Sequence, residues 1–77
     1  MIKVYSTPTC AYCHALKEFL REHNIDFTDI DVSQDQQAAE ELVHQTNQYG
    51  VPVIDINGQM IIGFNRQKIC QELKIEE

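Results

Sequence analysis

The sequence predicts an α/β domain of order β-α-β-α-β-β-α, with a mixed four-stranded sheet and three helices on both faces. Three observations carry that expectation. Ile2, Val4 and Ser6 alternate with Lys3 and Tyr5, and apolar groups then recur at helical spacing from Ala15 to His23. Residues 25–32 offer apolar groups on opposite faces, Ile25 and Phe27 against Ile30 and Val32, which suits a sheet covered on both sides. Asn57-Gly58 divides two further apolar runs, and both residues tolerate the positive φ of a tight hairpin turn.

Taken in order, residues 2–6 read as the first strand, rich in β-branched and aromatic side chains. Thr7-Pro8-Thr9 reads as a loop, with Thr9 expected to cap the helix that follows. Ala15, Leu16, Phe19, Leu20 and His23 form the apolar stripe of that helix. Lys17, Glu18, Arg21 and Glu22 are expected on its solvated face, and Asn24 is expected to stop it. Residues 25–32 form the second strand, parallel to the first by the right-handed crossover rule. Ser33 or Asp35 caps a second helix carrying Ala38, Ala39, Leu42, Val43 and Thr46, which ends over residues 47–50. Residues 51–56 and 59–62 form the antiparallel hairpin. The last helix follows Gly63-Phe64-Asn65, with Ile69, Cys70 and Leu73 on its apolar side, and Glu76-Glu77 is expected to fray.

Seventy-seven residues make one domain, spanning 1–77. The net charge of -6 argues against nucleic acid, because phosphate contacts need a basic face. Neither a basic-plus-apolar leader nor an apolar run of about 18 residues is visible, so a cytoplasmic chain that makes no membrane contact is expected. Structural disulfides are rare in that compartment, and a close cysteine pair there is more often catalytic or metal-binding.

That pair is Cys10-Ala11-Tyr12-Cys13, set between a strand and a helix. In this position C-x-x-C reads as a redox dithiol. A cysteine at the first turn of a helix faces backbone N–H groups with no intrahelical partner and the positive end of the helix dipole. Both favour thiolate over thiol. The extra thiolate is largely offset by its lower nucleophilicity, so the main gain is a better leaving group and freely reversible exchange. Cys13 lies one turn further in. The roles expected are therefore Cys10 as nucleophile and Cys13 as resolving thiol. Zinc is disfavoured because no second C-x-x-C or H-x-x-x-H supplies the remaining ligands. His14, His23 and His44 read as surface or packing residues, and Cys70 as a buried inert thiol.

The stretches 4–13, Gly50-Val51-Pro52-Val53-Ile54 and Gly58-Gln59-Met60-Ile61-Ile62-Gly63-Phe64 together resemble the glutaredoxin family of the thioredoxin fold. The resemblance implies a cis peptide before Pro52 near the dithiol, since cis bonds are essentially confined to X–Pro. The backbone of Val51 would then be open to pair with a substrate segment as an added strand. It implies that no cofactor is bound. The redox centre is a Cys10–Cys13 disulfide recharged by an external reductant, either thioredoxin reductase with NADPH or glutathione. Thr7 stands where glutathione users usually carry Lys, and Ala11 where they carry Pro. Gly63-Phe64-Asn65-Arg66 looks more like NrdH-type redoxins, which donate electrons to ribonucleotide reductase. The substrate-binding residues expected are Thr9, Ala11, Tyr12, Val51, Pro52, Gly63, Phe64 and Arg66, the last able to meet an anion at a helix start. The reading is a monomeric dithiol-disulfide oxidoreductase acting on protein disulfides. Its alternatives are a glutathione-dependent glutaredoxin and a metal or iron–sulfur carrier using the same thiolates.

Overall fold

A computed structural model of the chain describes residues 1–48 and 50–75. The elements run β1 (Ile2–Ser6), α1 (Ala11–Glu22), β2 (Thr28–Asp31), α2 (Gln36–Thr46), β3 (Val53–Ile56), β4 (Gln59–Ile62) and α3 (Arg66–Leu73). The sheet order is β2-β1-β3-β4. β1 pairs with β2 in parallel and with β3 antiparallel, and β3 pairs antiparallel with β4. This is the thioredoxin fold, as the sequence predicts.

Strand alternation splits the core in two. Val4, Ile54, Ile56 and Ile61 face Leu16, Phe19 and Leu20 of α1 and Ile69 of α3. The other set, Tyr5 and Val53, faces Ala38 and Leu42 of α2. Adjacent residues of one strand therefore serve opposite layers, as the period of two requires. Ile25 and Phe27 join the first layer, while Ile30 and Val32 join the second. The two-faced run expected over 25–32 is present, although only Thr28–Asp31 pairs as strand. Similarly, β3 begins at Val53, because Val51-Pro52 forms a cis turn ahead of it.

The caps follow local chemistry. Asp35 accepts the N–H of Ala38 at 3.0 Å and starts α2, and Asn65 accepts the N–H of Lys68 at 3.2 Å and starts α3. Asn24 and Asn47 take left-handed φ of 56° and 60° just past their helices, where Asn is one of the few tolerant residues. Asn57 and Gly58 turn the hairpin at φ of 52° and 100°, and Asp55 accepts the Gly58 N–H at 2.8 Å.

Four expectations are corrected. Cys10, not Thr9, caps α1. Helix periodicity alone cannot choose between neighbours, and here the backbone first becomes helical at Ala11. Lys17, read as solvated, is buried, while Ala15, read as part of the apolar stripe, is exposed. Cys70 is half-buried rather than enclosed. The expectation for Glu76-Glu77 lies outside the described residues. Among the described residues, no helix is long and apolar enough to cross a membrane.

Leu20 is fully buried between α1 and the sheet. Truncating it to Ala should lower stability by about 2–5 kcal/mol, by lost transfer energy plus the cavity left behind. Urea titration followed by far-ultraviolet circular dichroism checks this, with the midpoint falling and the slope unchanged.

Candidate active site

The dithiol sits where β1 delivers the chain to the first turn of α1, at the carboxyl end of a central strand. Cys10 has extended backbone angles, φ -89° and ψ 112°, and is the N-cap. Its sulfur accepts the N–H of Cys13 at 3.2 Å. This is one of the orphan donors that every helix start must satisfy. The usual caps are oxygen-bearing side chains. A sulfur in that place points back over the helix axis, into the field of the dipole. The Cys10 N–H in turn donates to the Thr7 carbonyl at 3.3 Å, which closes the preceding loop.

The two thiols differ in access. Cys10 is half-buried and Cys13 is fully buried, and both are free thiols here. Burial pushes the Cys13 thiol up to about 11, and the neighbouring Cys10 sulfur adds to the rise. The backbone N–H of Thr7 and the charge of Lys17 pull the other way without prevailing. At neutral pH, Cys13 is therefore a protonated, enclosed sulfur beside one that is within reach of a partner.

Across the site, the cis Val51-Pro52 turn brings a carbonyl to the sulfur: Cys10 Sγ lies 3.9 Å from Val51 O. Pro52 is buried, and its carbonyl accepts the Gly63 N–H at 2.8 Å, which pins the end of β4 beside the turn. Gly63 takes a φ of 79°, which side-chain-bearing residues rarely adopt. The structure thus gathers Cys10, Cys13, Val51, Pro52 and Gly63. Thr9, Ala11 and Tyr12 line the outer side of the same turn, with Tyr12 71% exposed. Phe64 and Arg66 meet the first helix. Both pack on Phe19 of α1, Phe64 edge-on at 5.7 Å between centroids and the Arg66 guanidinium 5.0 Å from the ring centre. The His14 ring is engaged with the Pro8 carbonyl at 2.8 Å.

Two residues near the site escaped the sequence reading. Ile62 is 51% exposed at the end of edge strand β4, next to Gly63. The apolar run it ends gave no sign that its last member faces solvent. Lys17 lies one turn below Cys13, and its ammonium is 3.0 Å from Asp29 of β2. Only a parallel β1–β2 pairing with a known register could have disclosed that contact.

The family model for glutaredoxin matches residues 2–61. This chain belongs to the glutaredoxin family. An uncharacterized glutaredoxin-like 8.6 kDa protein in the rubredoxin operon of Clostridium pasteurianum is 51% identical over 69 residues, covering 90% of this chain and 92% of that one. Among solved structures, a point variant of the thioredoxin-like protein BC3987 superposes with a TM-score of 0.92 at 36% identity, covering 97% and 96% of the two chains. The glutaredoxin-like NrdH-redoxin of Escherichia coli, whose thioredoxin-like activity profile is the subject of that structure, gives 0.83 at 30% identity and covers 91% of each chain. Glutaredoxin-family membership carries a thiol-disulfide redox function in general terms. Among the described residues, no group of three or more His, Cys, Asp or Glu could hold a metal ion.

Two outcomes follow from this geometry. Iodoacetamide at neutral pH should label Cys10 and spare Cys13, which should react only in strongly alkaline solution or after unfolding; peptide mass mapping reads the result. The second concerns Asp29. Burial alone would raise its carboxyl, but the hydrogen bonds from Lys17 and Ser6 outweigh that and hold it below the usual carboxylate range. A depressed folded value stabilises the fold above the unfolded carboxylate pKa of about 3.9, and that part is lost as pH falls through the folded value. Acid unfolding of Asp29→Asn should therefore show a flatter low-pH limb than the parent, measured as stability against pH by urea titration.

Proposed function

We propose that this chain, a single domain over residues 1–77, is a dithiol-disulfide oxidoreductase that reduces protein disulfides, with Cys10 as nucleophile and Cys13 as resolving thiol. The observation that carries the reading is the unequal pair: a half-exposed sulfur capping a helix, above a buried thiol one turn in. The Cys10 thiolate attacks a substrate disulfide, joins to one sulfur and releases the other as a thiol. Cys13 then gives up its proton and attacks Cys10. The Cys10–Cys13 disulfide forms, and the second substrate sulfur leaves reduced. Two electrons pass from the dithiol to the substrate. The hydrogen bond at Cys10 Sγ supports the first step, because it holds the half-buried sulfur in place at the start of α1, within reach of a substrate. No metal or organic group has a part in this exchange.

The docking reading uses the Val51 backbone as a strand-like rail for the substrate segment. Thr9, Ala11, Tyr12, Pro52 and Gly63 flank it, and the exposed Ile62 is added to them. Phe64 and Arg66 are assigned an indirect part, shaping the α3 end of the site through Phe19. For the reductant, we favour thioredoxin reductase with NADPH over glutathione. Thr7 supplies no cation for a glutathione carboxylate, and likeness to the NrdH-redoxin supports the same choice. Ribonucleotide reductase is the protein disulfide to try first. The reading includes a monomer working in the cytoplasm.

The test compares recycling of the oxidised protein by thioredoxin reductase plus NADPH with recycling by glutathione plus glutathione reductase, followed as NADPH loss. Faster turnover with thioredoxin reductase is expected. Turnover with glutathione alone would overturn the choice of reductant, and failure of both would sink the oxidoreductase reading. Cys13→Ser should trap a covalent substrate on Cys10. Iron or zinc that stays bound through purification and is lost in Cys10→Ser would instead support a carrier role.

A further inference from the structure

We propose that Lys17 is a positioning residue for the resolving step, its buried charge favouring the thiolate that Cys13 must become to attack the mixed disulfide. The inference rests on the reading of Cys13 as the resolving thiol. It begins from a burial that the sequence pattern does not explain. Lys17 is 8% exposed, and lysine is almost never so enclosed unless paired. Its ammonium donates to Asp29 Oδ2 at 3.0 Å and lies 3.4 Å from the Ser6 hydroxyl, which itself donates to Asp29 Oδ1 at 2.9 Å. The three residues come from α1, β2 and β1.

Cys13 and Lys17 are four residues apart on one helix and both face inward. Such neighbours have Cβ atoms about 5–6 Å apart. A charge at that range, away from bulk water, acts far more strongly on a sulfur than it would at a surface. Among the described residues, other polar or charged groups near Cys13 are few. Its own helix start contributes Cys10, and the preceding loop contributes the Thr7 N–H. From β1 comes Ser6, a neutral hydroxyl already bound to Asp29. β2 presents Asp29, engaged by Lys17, with Arg21 of α1 also acting on that carboxylate. His14 is turned to the Pro8 carbonyl, and Arg66 of α3 lies over Phe19. The core residues that β3 and α3 contribute to this layer, Ile54 and Ile69 among them, carry no charge. Among the described residues, Lys17 is thus the cation that shares the inward helix face of Cys13 and acts on its thiol through charge.

Asp29 sets how much of that charge Cys13 feels. Its side chain is 45% exposed against 10% for Lys17, so the countercharge stands on the solvent side and the cation on the core side. The two ends of the pair therefore have opposite consequences. Removing the cation makes the Cys13 thiolate harder to form; removing the anion makes it easier. A purely structural tie between α1 and β2 would respond alike to both losses.

The experiment isolates the second step. Cys10 is converted to its thionitrobenzoate mixed disulfide, and attack by Cys13 is read as release of the coloured thiolate in stopped flow from about pH 6 to pH 10, a range chosen around thiol ionisation. Lys17→Met should slow release at neutral pH about three- to tenfold and move the rising limb about half to one unit to higher pH. Lys17→Arg, which keeps the charge, should restore the parent profile. Asp29→Asn should move the limb to lower pH. Alkylation of Cys10, the first-step control, should keep its rate in all three. If Lys17→Met and Asp29→Asn lower stability and leave the limb where it was, or shift it the same way, the inference is wrong. If Lys17→Met does not fold, the direction of the Asp29→Asn shift decides by itself. Failure of the unsubstituted protein to release thionitrobenzoate would be a separate result, and would overturn the resolving role of Cys13.

Discussion

One hydrogen bond joins the fold to the chemistry: the Cys13 N–H to the Cys10 sulfur, 3.2 Å, across the first turn of α1. It is a structural bond, since a helix start leaves its first donors without intrahelical partners. It also bears on the proposed chemistry, since the acceptor is the sulfur assigned as nucleophile. Holding Cys10 there takes an extended backbone at the cap and a loop closed by the Cys10 N–H on Thr7. The same turn sends Cys13 inward. Access for one sulfur and burial for the other are thus two results of a single placement at the join of β1 and α1.

The rest of the molecule holds that join in place. β1 lies in the interior of the sheet, paired on both sides, and its alternating residues anchor one helical layer each. α1 is pressed onto the sheet by Leu16, Phe19 and Leu20. β3 and β4 carry the cis turn and Gly63 to the opposite side of the sulfur. The cluster on Phe19, which gathers Phe64, His23 and Arg66, fixes the start of α3 against α1. An arginine suited by its position in the chain to meet an anion is here turned onto an aromatic ring, where its charge is partly satisfied by the π face.

The pairing of buried Lys17 with the more exposed Asp29 is the costly feature of this arrangement. Taking a lysine head out of water is unfavourable unless its partners replace the lost solvation, and here a carboxylate and a hydroxyl do so. Asp29 remains in partial contact with water, which lessens the penalty for the pair. A hydrophobic residue at position 17 would complete the α1 stripe at lower cost. That a charged side chain stands there instead is easiest to understand from the sulfur one turn away.

Much of the fold was legible from the residues. Alternation in 2–6, the stripe through Leu16 and Leu20, the two-faced run at 25–32 and the Asn57-Gly58 turn each report local geometry, which depends on a few neighbours in the chain. The dithiol was legible for the same reason, because C-x-x-C between a strand and a helix is a local pattern. The chain by itself therefore determined the order of elements, the parallel β1–β2 and antiparallel β3–β4 pairings and the cysteine pair, while the antiparallel seam between β1 and β3 came only with the tertiary structure. Tertiary structure alone decided that Cys10 rather than Thr9 is the cap, that Ile62 is exposed, that Phe64 and Arg66 turn to Phe19, and that Lys17 is enclosed and paired to Asp29. Each of these depends on which surfaces meet across the sheet and in what register. Long flexible side chains such as lysine can lie along an apolar surface or leave it, so helical periodicity cannot say which until the opposing strand is in place.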